Sequence, residues 1–206
     1  MAKNKLSYNP KLIKQQQNDE VEFSLVNDPN DIIWVTEFNP SASSQFCANL
    51  LRESKKDLNR PIIIYINSPG GQVFDLLAMM ACMDSVPNPK VTVGMGQAMS
   101  CGAVLLGHGD IRFAAPNCQI MVHEISAGAG GNIQDLNTEA QYLMQLHKLF
   151  TKIMAEDCEK SIEQVEALFT HQKRDVYLSP AKAKKFGLID HVGVPRLVTA
   201  TQYQLA

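Results

Sequence analysis

The sequence predicts an α/β fold with a largely parallel sheet, and three observations carry that prediction. PIIIYIN at 61–67 is a branched apolar run of strand length, and the glycine turn SPGG follows it at once. Residues 72–85 then place apolar side chains at Val73, Phe74, Leu77, Met80, Ala81 and Met83, a helical pattern, before VTVGM resumes a strand. Strand, turn, helix and strand form a βαβ unit, which closes in one hand and demands a parallel sheet.

The remaining elements follow in order. Residues 1–20 are polar, include three consecutive glutamines and read as a mobile arm, with a single packed domain over 21–206 that begins near EFSLV. IIWVTE at 32–37 reads as a strand and 41–54 as a helix. After the βαβ unit the order repeats: a helix from about Ser100 to Gly107, then short strands at RFAA and QIMVH. SAGAGG at 126–131 is too rich in glycine for a packed helix and fits a loop or an extended edge strand. Ile133, Leu136, Ala140, Leu143, Leu146, Phe150 and Ile153 then mark one helix from Asn132 to about Lys160, long for a small domain. Ser161 with Gln164 makes a capping box for a further helix, and Ser179-Pro180 opens a last one that Gly187 closes.

Bulk properties exclude several classes. A chain of 206 residues with 45% apolar composition supports one sizeable core, and a formal net charge of −2 leaves no basic footprint for nucleic acid. The N-terminus lacks the apolar core of a signal peptide and no apolar run reaches bilayer length, so a cytoplasmic protein without membrane contact is expected. Five cysteines, Cys47, Cys82, Cys101, Cys118 and Cys158, lie mostly in apolar contexts, without metal-ligand spacing. No metal or cofactor is expected.

Chemistry concentrates in GMGQAMSCGAVLLGHG at 94–109. Ser100 stands where a strand hands over to a helix, close to unpaired N–H groups and the positive end of the helix dipole. An ordinary N-cap serine is the plain alternative. The small residues Gly96, Ala98 and Gly102 leave room for a substrate backbone, although Ala98 breaks the hydrolase elbow GxSxG. A serine nucleophile needs a base, and His123 alone among five histidines ends an apolar strand and opens into a glycine-rich loop. His147 reads as a helix-surface residue; His108, His171 and His191 look solvated. Asp175 in KRDVYLSP is the carboxylate best placed to be held inward and orient an imidazole, the alternative being a surface pair with Arg174 or Lys173. Asp157 and Asp190 sit in exposed-looking helix ends or turns. Cys101 points roughly a quarter-turn away from Ser100 and packs inward, leaving its N–H for an oxyanion. Gly70 and Gly71 have no side chains to block a peptide, and the Gly71 N–H completes such a hole, unless SPGG is only a turn.

YINSPGG, GQAMSCGA, a strand ending MVHE, and RDVYLS occur in this order, and together they resemble the ClpP family of self-compartmentalised serine peptidases over residues 30–192. The resemblance implies Ser100 as nucleophile, His123 as general base and Asp175 as orienting acid, with oxyanion donors at the N–H groups of Gly71 and Cys101. It implies a crotonase-like fold, two stacked heptameric rings of one chain, and active sites on an inner chamber. The long helix becomes a protruding handle buried between rings. A glycine-rich strand, Ala127, Gly128, Ala129 and Gly130, pairs with extended substrate beside Gly70. A hexameric AAA+ Clp unfoldase feeds unfolded protein or peptide to the chamber, and the peptidase consumes no nucleotide. The sequence departs from the family in its polar N-terminal arm, a short segment from Leu106 to Arg112, a long approach ALFTHQKRD, and Lys173 where an acid is common. At the docking pocket for the unfoldase Tyr65 matches, whereas Ile63 and Ser85 replace aromatic residues. Alternatives are a catalytically inactive ring subunit, a signal-peptide-peptidase-like serine and lysine enzyme, and a CoA-binding crotonase, which needs no serine at Ser100.

Overall fold

The computed structural model describes residues 32–125, 131–170 and 175–195. The polar arm, the start of the domain near 21, Ala127 to Gly130 and Lys173 lie outside the described residues.

Strand β1 (Ile33–Val35) leads to helix α1 (Pro40–Lys56), whose N-cap Asn39 accepts the Ala42 N–H at 2.8 Å. Strand β2 (Ile62–Ser68), helix α2 (Val73–Ser85) and strand β3 (Lys90–Met99) form the expected βαβ unit. Helix α3 (Cys101–Gly107) and strands β4 (Ile111–Ala114) and β5 (Gln119–Val122) follow, then the long helix α4 (Ile133–Asp157). Helix α5 (Ile162–Thr170), strand β6 (Val176–Leu178), helix α6 (Pro180–Phe186) and strand β7 (His191–Val192) complete the described chain. The caps read from sequence form: Ser161 and Gln164 exchange bonds at 3.0 and 3.3 Å, Ser179 accepts from Lys182 N–H at 3.3 Å, and Gly187 ends α6 at φ 93°.

The sheet runs β1-β2-β3-β4-β7, with β5 beside the far end of β3. Every pairing is parallel except β5 with β6. Both faces of β2 are buried, which explains its unbroken apolar run: Ile62, Ile64 and Ile66 enter the main core with Leu76, Met79 and Leu105. Ile63 and Tyr65 join Val91, Val93 and Phe113 in a smaller cluster on the other face. Trp34 stacks on Tyr65 with ring centroids 5.1 Å apart.

Only the C-terminal end of α4 is packed, through Phe150, Thr151, Met154 and Ala155. Its N-terminal part stands in solvent with Ile133 79% exposed, and Asn132 and Asp135 close that end with a capping box.

Four readings of charged residues need correction. His108 is not solvated: its side chain is 6% exposed and its Nδ1 lies 2.9 Å from Asp157, itself 7% exposed. Its Nε2 comes within 3.2 Å of Asp84 without the alignment of a hydrogen bond. Asp157 is therefore buried rather than an exposed helix end. Asp190 binds Arg112 at 2.7 and 3.0 Å rather than facing solvent from a turn, and Arg112 also donates to the Asp157 carbonyl at 2.7 Å. His191 joins β7 and stacks on Phe113 at 4.8 Å.

The buried thiols give the fold a pH limit. Burial pushes Cys158 from an ordinary 9.0 up to about 12 and Cys118 up to about 11. A thiol whose folded value is raised stabilises the fold below the unfolded value and loses that contribution as pH rises toward the folded one. We expect the urea midpoint to fall between about pH 9 and about pH 11, and to fall less in Cys158→Ala.

Candidate active site

Ser100 closes β3 and opens α3 at φ 52° and ψ −120°. Such a backbone costs a residue with a Cβ on the order of 1–3 kcal/mol. It is held from β5: the register pairs Gln97 with Gln119, Ala98 with Ile120 and Met99 with Met121, and the Ser100 N–H donates to the Met121 carbonyl at 2.8 Å. Because the two strands run parallel, Ser100 and His123 leave the sheet side by side. The Ser100 hydroxyl makes no capping bond to α3 and instead lies 2.7 Å from His123 Nε2. With the imidazole proton on Nδ1, the hydroxyl donates to Nε2, the arrangement in which a base activates a nucleophile.

The SPGG turn packs directly on this serine. A Cβ on Gly70 would stand 2.8 Å from the Ser100 Cβ and 3.0 Å from the Met99 carbonyl, at a φ of 108°. A Cβ on Gly71 would collide with the Phe38 carbonyl oxygen. Ser68 fixes the turn from beneath, its buried hydroxyl accepting the Gly70 N–H at 3.1 Å. Gly71 forms an isolated parallel bridge with Phe38 whose hydrogen bond to the Phe38 carbonyl comes from Gln72, at 2.8 Å, not from Gly71. Cys101 is the first residue of α3, so its N–H has no carbonyl one turn back within the helix. Gly71 and Cys101 line one cavity with Ser100. Ser68 escaped sequence reasoning, although its place before the glycine turn was a signal for it.

Cys101 packs inward, as read from sequence, and its thiol donates to the Gly71 carbonyl at 3.3 Å. Burial raises its pKa, which keeps it a neutral thiol.

Asp175 is placed differently from expectation. The antiparallel register pairs Val122 with Val176, so Asp175 lies one step on, opposite His123. Its side chain is exposed rather than held inward, and among the described residues no hydrogen bond joins it to His123.

A cavity of about 110 Å³ opens beside the serine. Ser100, Cys101 and His123 line it together with Phe150, Met154 and Phe169. His147 also lines it, half-buried and edge-on to Phe169 at 5.8 Å, so its reading as a helix-surface residue is overturned. Among the described residues no lysine lines this cavity, and no cluster of His, Cys, Asp and Glu could hold a metal ion.

A bonded serine and histidine at the end of a largely parallel sheet place the chain among α/β hydrolytic enzymes with a serine nucleophile. Comparison with known proteins narrows this, since the model of the Clp protease family matches residues 14–196. The chain is also 34% identical over 172 residues to the "ATP-dependent Clp protease proteolytic subunit 1" of Leifsonia xyli subsp. xyli (strain CTCB07), spanning 82% of this chain and 86% of that one. The chain belongs to the Clp protease family, and its function is that of a Clp-type serine peptidase.

The contacts around Gly70 and Gly71 give a direct test. Gly70→Ala and Gly71→Ala should each slow fluorophosphonate labelling of Ser100 by about a hundredfold or more, because the added methyl displaces the turn packed against that serine. Labelling rates followed by intact mass, beside urea midpoints, separate this from unfolding.

Proposed function

We propose that this chain is the proteolytic subunit of an ATP-dependent Clp-type protease, with Ser100, His123 and Asp175 as its catalytic triad. The observation that carries the reading is the 2.7 Å contact between Ser100 Oγ and His123 Nε2 at the mouth of a largely apolar cavity. Ser100 attacks the scissile carbonyl while His123 takes its proton, and the N–H groups of Gly71 and Cys101 receive the oxyanion. His123 then protonates the leaving amine, and water releases the acyl group by the same steps. Asp175 orients His123 through Nδ1 once its carboxylate turns from solvent toward the ring, a short movement given its place opposite His123 in the strand register. Ala127 to Gly130 pair with the substrate backbone beside Gly70.

Two stacked heptameric rings of this chain form the working assembly, in the cytoplasm, and an AAA+ unfoldase delivers unfolded protein. The exposed apolar residues of α4, Ile133 and Leu136 among them, favour burial between copies. The name of the Leifsonia relative, an ATP-dependent subunit, favours a separate nucleotide-consuming partner. The absence of a lysine from the lining of the described cavity weighs against a serine and lysine dyad.

Size-exclusion chromatography coupled to cleavage of a fluorogenic peptide tests this reading. Activity should elute with a large assembly and vanish, with fluorophosphonate labelling, in Ser100→Ala. Asp175→Asn should lower kcat by roughly 10²–10⁴-fold. A large assembly that neither cleaves nor labels would identify a structural ring subunit instead.

A further inference from the structure

The five cysteines fall into two groups. Cys101, Cys118 and Cys158 are buried, whereas Cys47 on α1 and Cys82 on α2 are half-buried and reach solvent. These two face each other across one helix contact. Ser43 and Cys47, one turn apart on α1, meet successive turns of α2: the Ser43 hydroxyl donates to Asp75, and the Cys47 Sγ lies 3.8 Å from the Ala78 carbonyl oxygen. The Cys82 Sγ lies 3.8 Å from the carbonyl oxygen of Cys47 itself, 35 positions back along the chain. The thiols also interact with each other. Burial first, and then a hydrogen bond with the Cys82 side chain, push Cys47 from an ordinary 9.0 up to about 11.

We infer that Cys47 and Cys82 form a redox-active dithiol, a modification site at which a low-molecular-weight disulfide of the glutathione class oxidises the pair to a reversible staple between α1 and α2. Cys47 holds its proton, so the first attack falls to Cys82. The Cys82 thiolate displaces one thiolate from the small disulfide and forms a mixed disulfide. Cys47 then loses its proton to solvent and attacks the Cys82 sulfur, which expels the second small thiolate. Two protein thiols are oxidised by two electrons, and one small disulfide is reduced to two small thiols. Excess small thiol runs both steps backwards. The staple encloses β2 and the SPGG turn and ties together the helices that begin beside Phe38 and Gly71. Closing that loop restricts the unfolded chain, so the oxidised form resists denaturation more strongly. The pair lies apart from the cavity beside Ser100, and its chemistry requires no peptidase activity.

The test incubates the full chain with oxidised glutathione at mildly alkaline pH, quenches it in acid, unfolds it and adds N-ethylmaleimide. By intact mass the oxidised chain should take two fewer maleimides than the reduced chain. A peptide map should join the segment carrying Cys47 to the segment carrying Cys82 within one chain, and dithiothreitol should restore the full maleimide count. The urea midpoint of the oxidised chain should stand about 1 M above that of the reduced chain. Cys47→Ser and Cys82→Ser should each lose both the internal link and the rise in midpoint. An unchanged maleimide count overturns the inference, as does a link to another cysteine or between chains. So does a stable mixed disulfide with glutathione on the natural chain, which would show that the second thiol does not reach the first. A mapped link that leaves the midpoint unmoved overturns the staple. Should a variant fail to fold, the peptide map and midpoint of the natural chain decide alone.

Discussion

The active centre depends on how the last residues of β3 are held in the sheet. β3 outruns its first neighbour: Val91 to Gly94 pair with β4, which ends at Ala114, and Gln97 to Met99 pair with β5 on the same edge. The handover is compact because Ala115 N–H bonds the Gly94 carbonyl at 2.8 Å and Cys118 N–H bonds the Ala115 carbonyl at 2.9 Å. Gly94 makes it possible, since a Cβ there would stand 3.0 Å from the Cys118 sulfur. On the opposite edge the register with β2 slips, Ile66 pairing with Gly94 and Ser68 with Ala98, so that β3 carries the extra residues, and Asn67 Oδ1 accepts the Gln97 N–H at 3.2 Å to bridge the irregularity. Both edges of the β3 tip are therefore satisfied, and Ser100 can be forced into a positive φ without the strand fraying.

The SPGG turn relies on a second support. Phe38 carries the bridge to Gly71, and the residue after it, Asn39, caps α1. The first turns of α1 and α2 are joined below by Ser43, whose hydroxyl donates to the buried Asp75 carboxylate at 2.5 Å. A carboxylate in the first turn of α2 is favoured by the helix dipole, and it fixes where that helix starts. Positive φ values cluster at Gly70, Gly71 and Ser100, so backbone strain gathers where two glycines and the serine meet. That strain is sustained by Ser68, Phe38 and Met121, none of which touches substrate in the proposed mechanism.

How much of this was legible follows the range of the interactions. The βαβ unit, the helix caps and the Ser100 and His123 pairing rest on patterns within a few residues or on strand ends, and the sequence exposes such patterns directly. His108, Asp157 and Asp190 were misread because their partners lie far along the chain: His108 meets Asp157 across 49 positions and Asp190 meets Arg112 across 78. A lone charged residue beside a turn looks solvated until a distant helix closes over it. His147 failed for a related reason, since periodicity places it on α4 but only the packing of α5 turns that face into a cavity wall. Asp175 shows the converse limit: strand register brings it opposite His123, yet register does not set a side-chain rotamer.

Helix α4 connects assembly to chemistry. Its C-terminal turns are anchored by Phe150, Thr151 and Met154, which also line the cavity beside Ser100, whereas Ile133, Leu136 and Met144 on its outer length remain exposed. A helix of 25 residues gains little from propensity alone, and most helical stability comes from burying an apolar face. In an isolated chain, fraying of the outer turns would propagate toward the residues that shape the cavity. Covering the exposed apolar residues with another copy, as the proposed ring pair does, stiffens the same rod from its far end. Catalytic competence and assembly would then be thermodynamically linked through α4, with no contact between a neighbouring copy and Ser100 required.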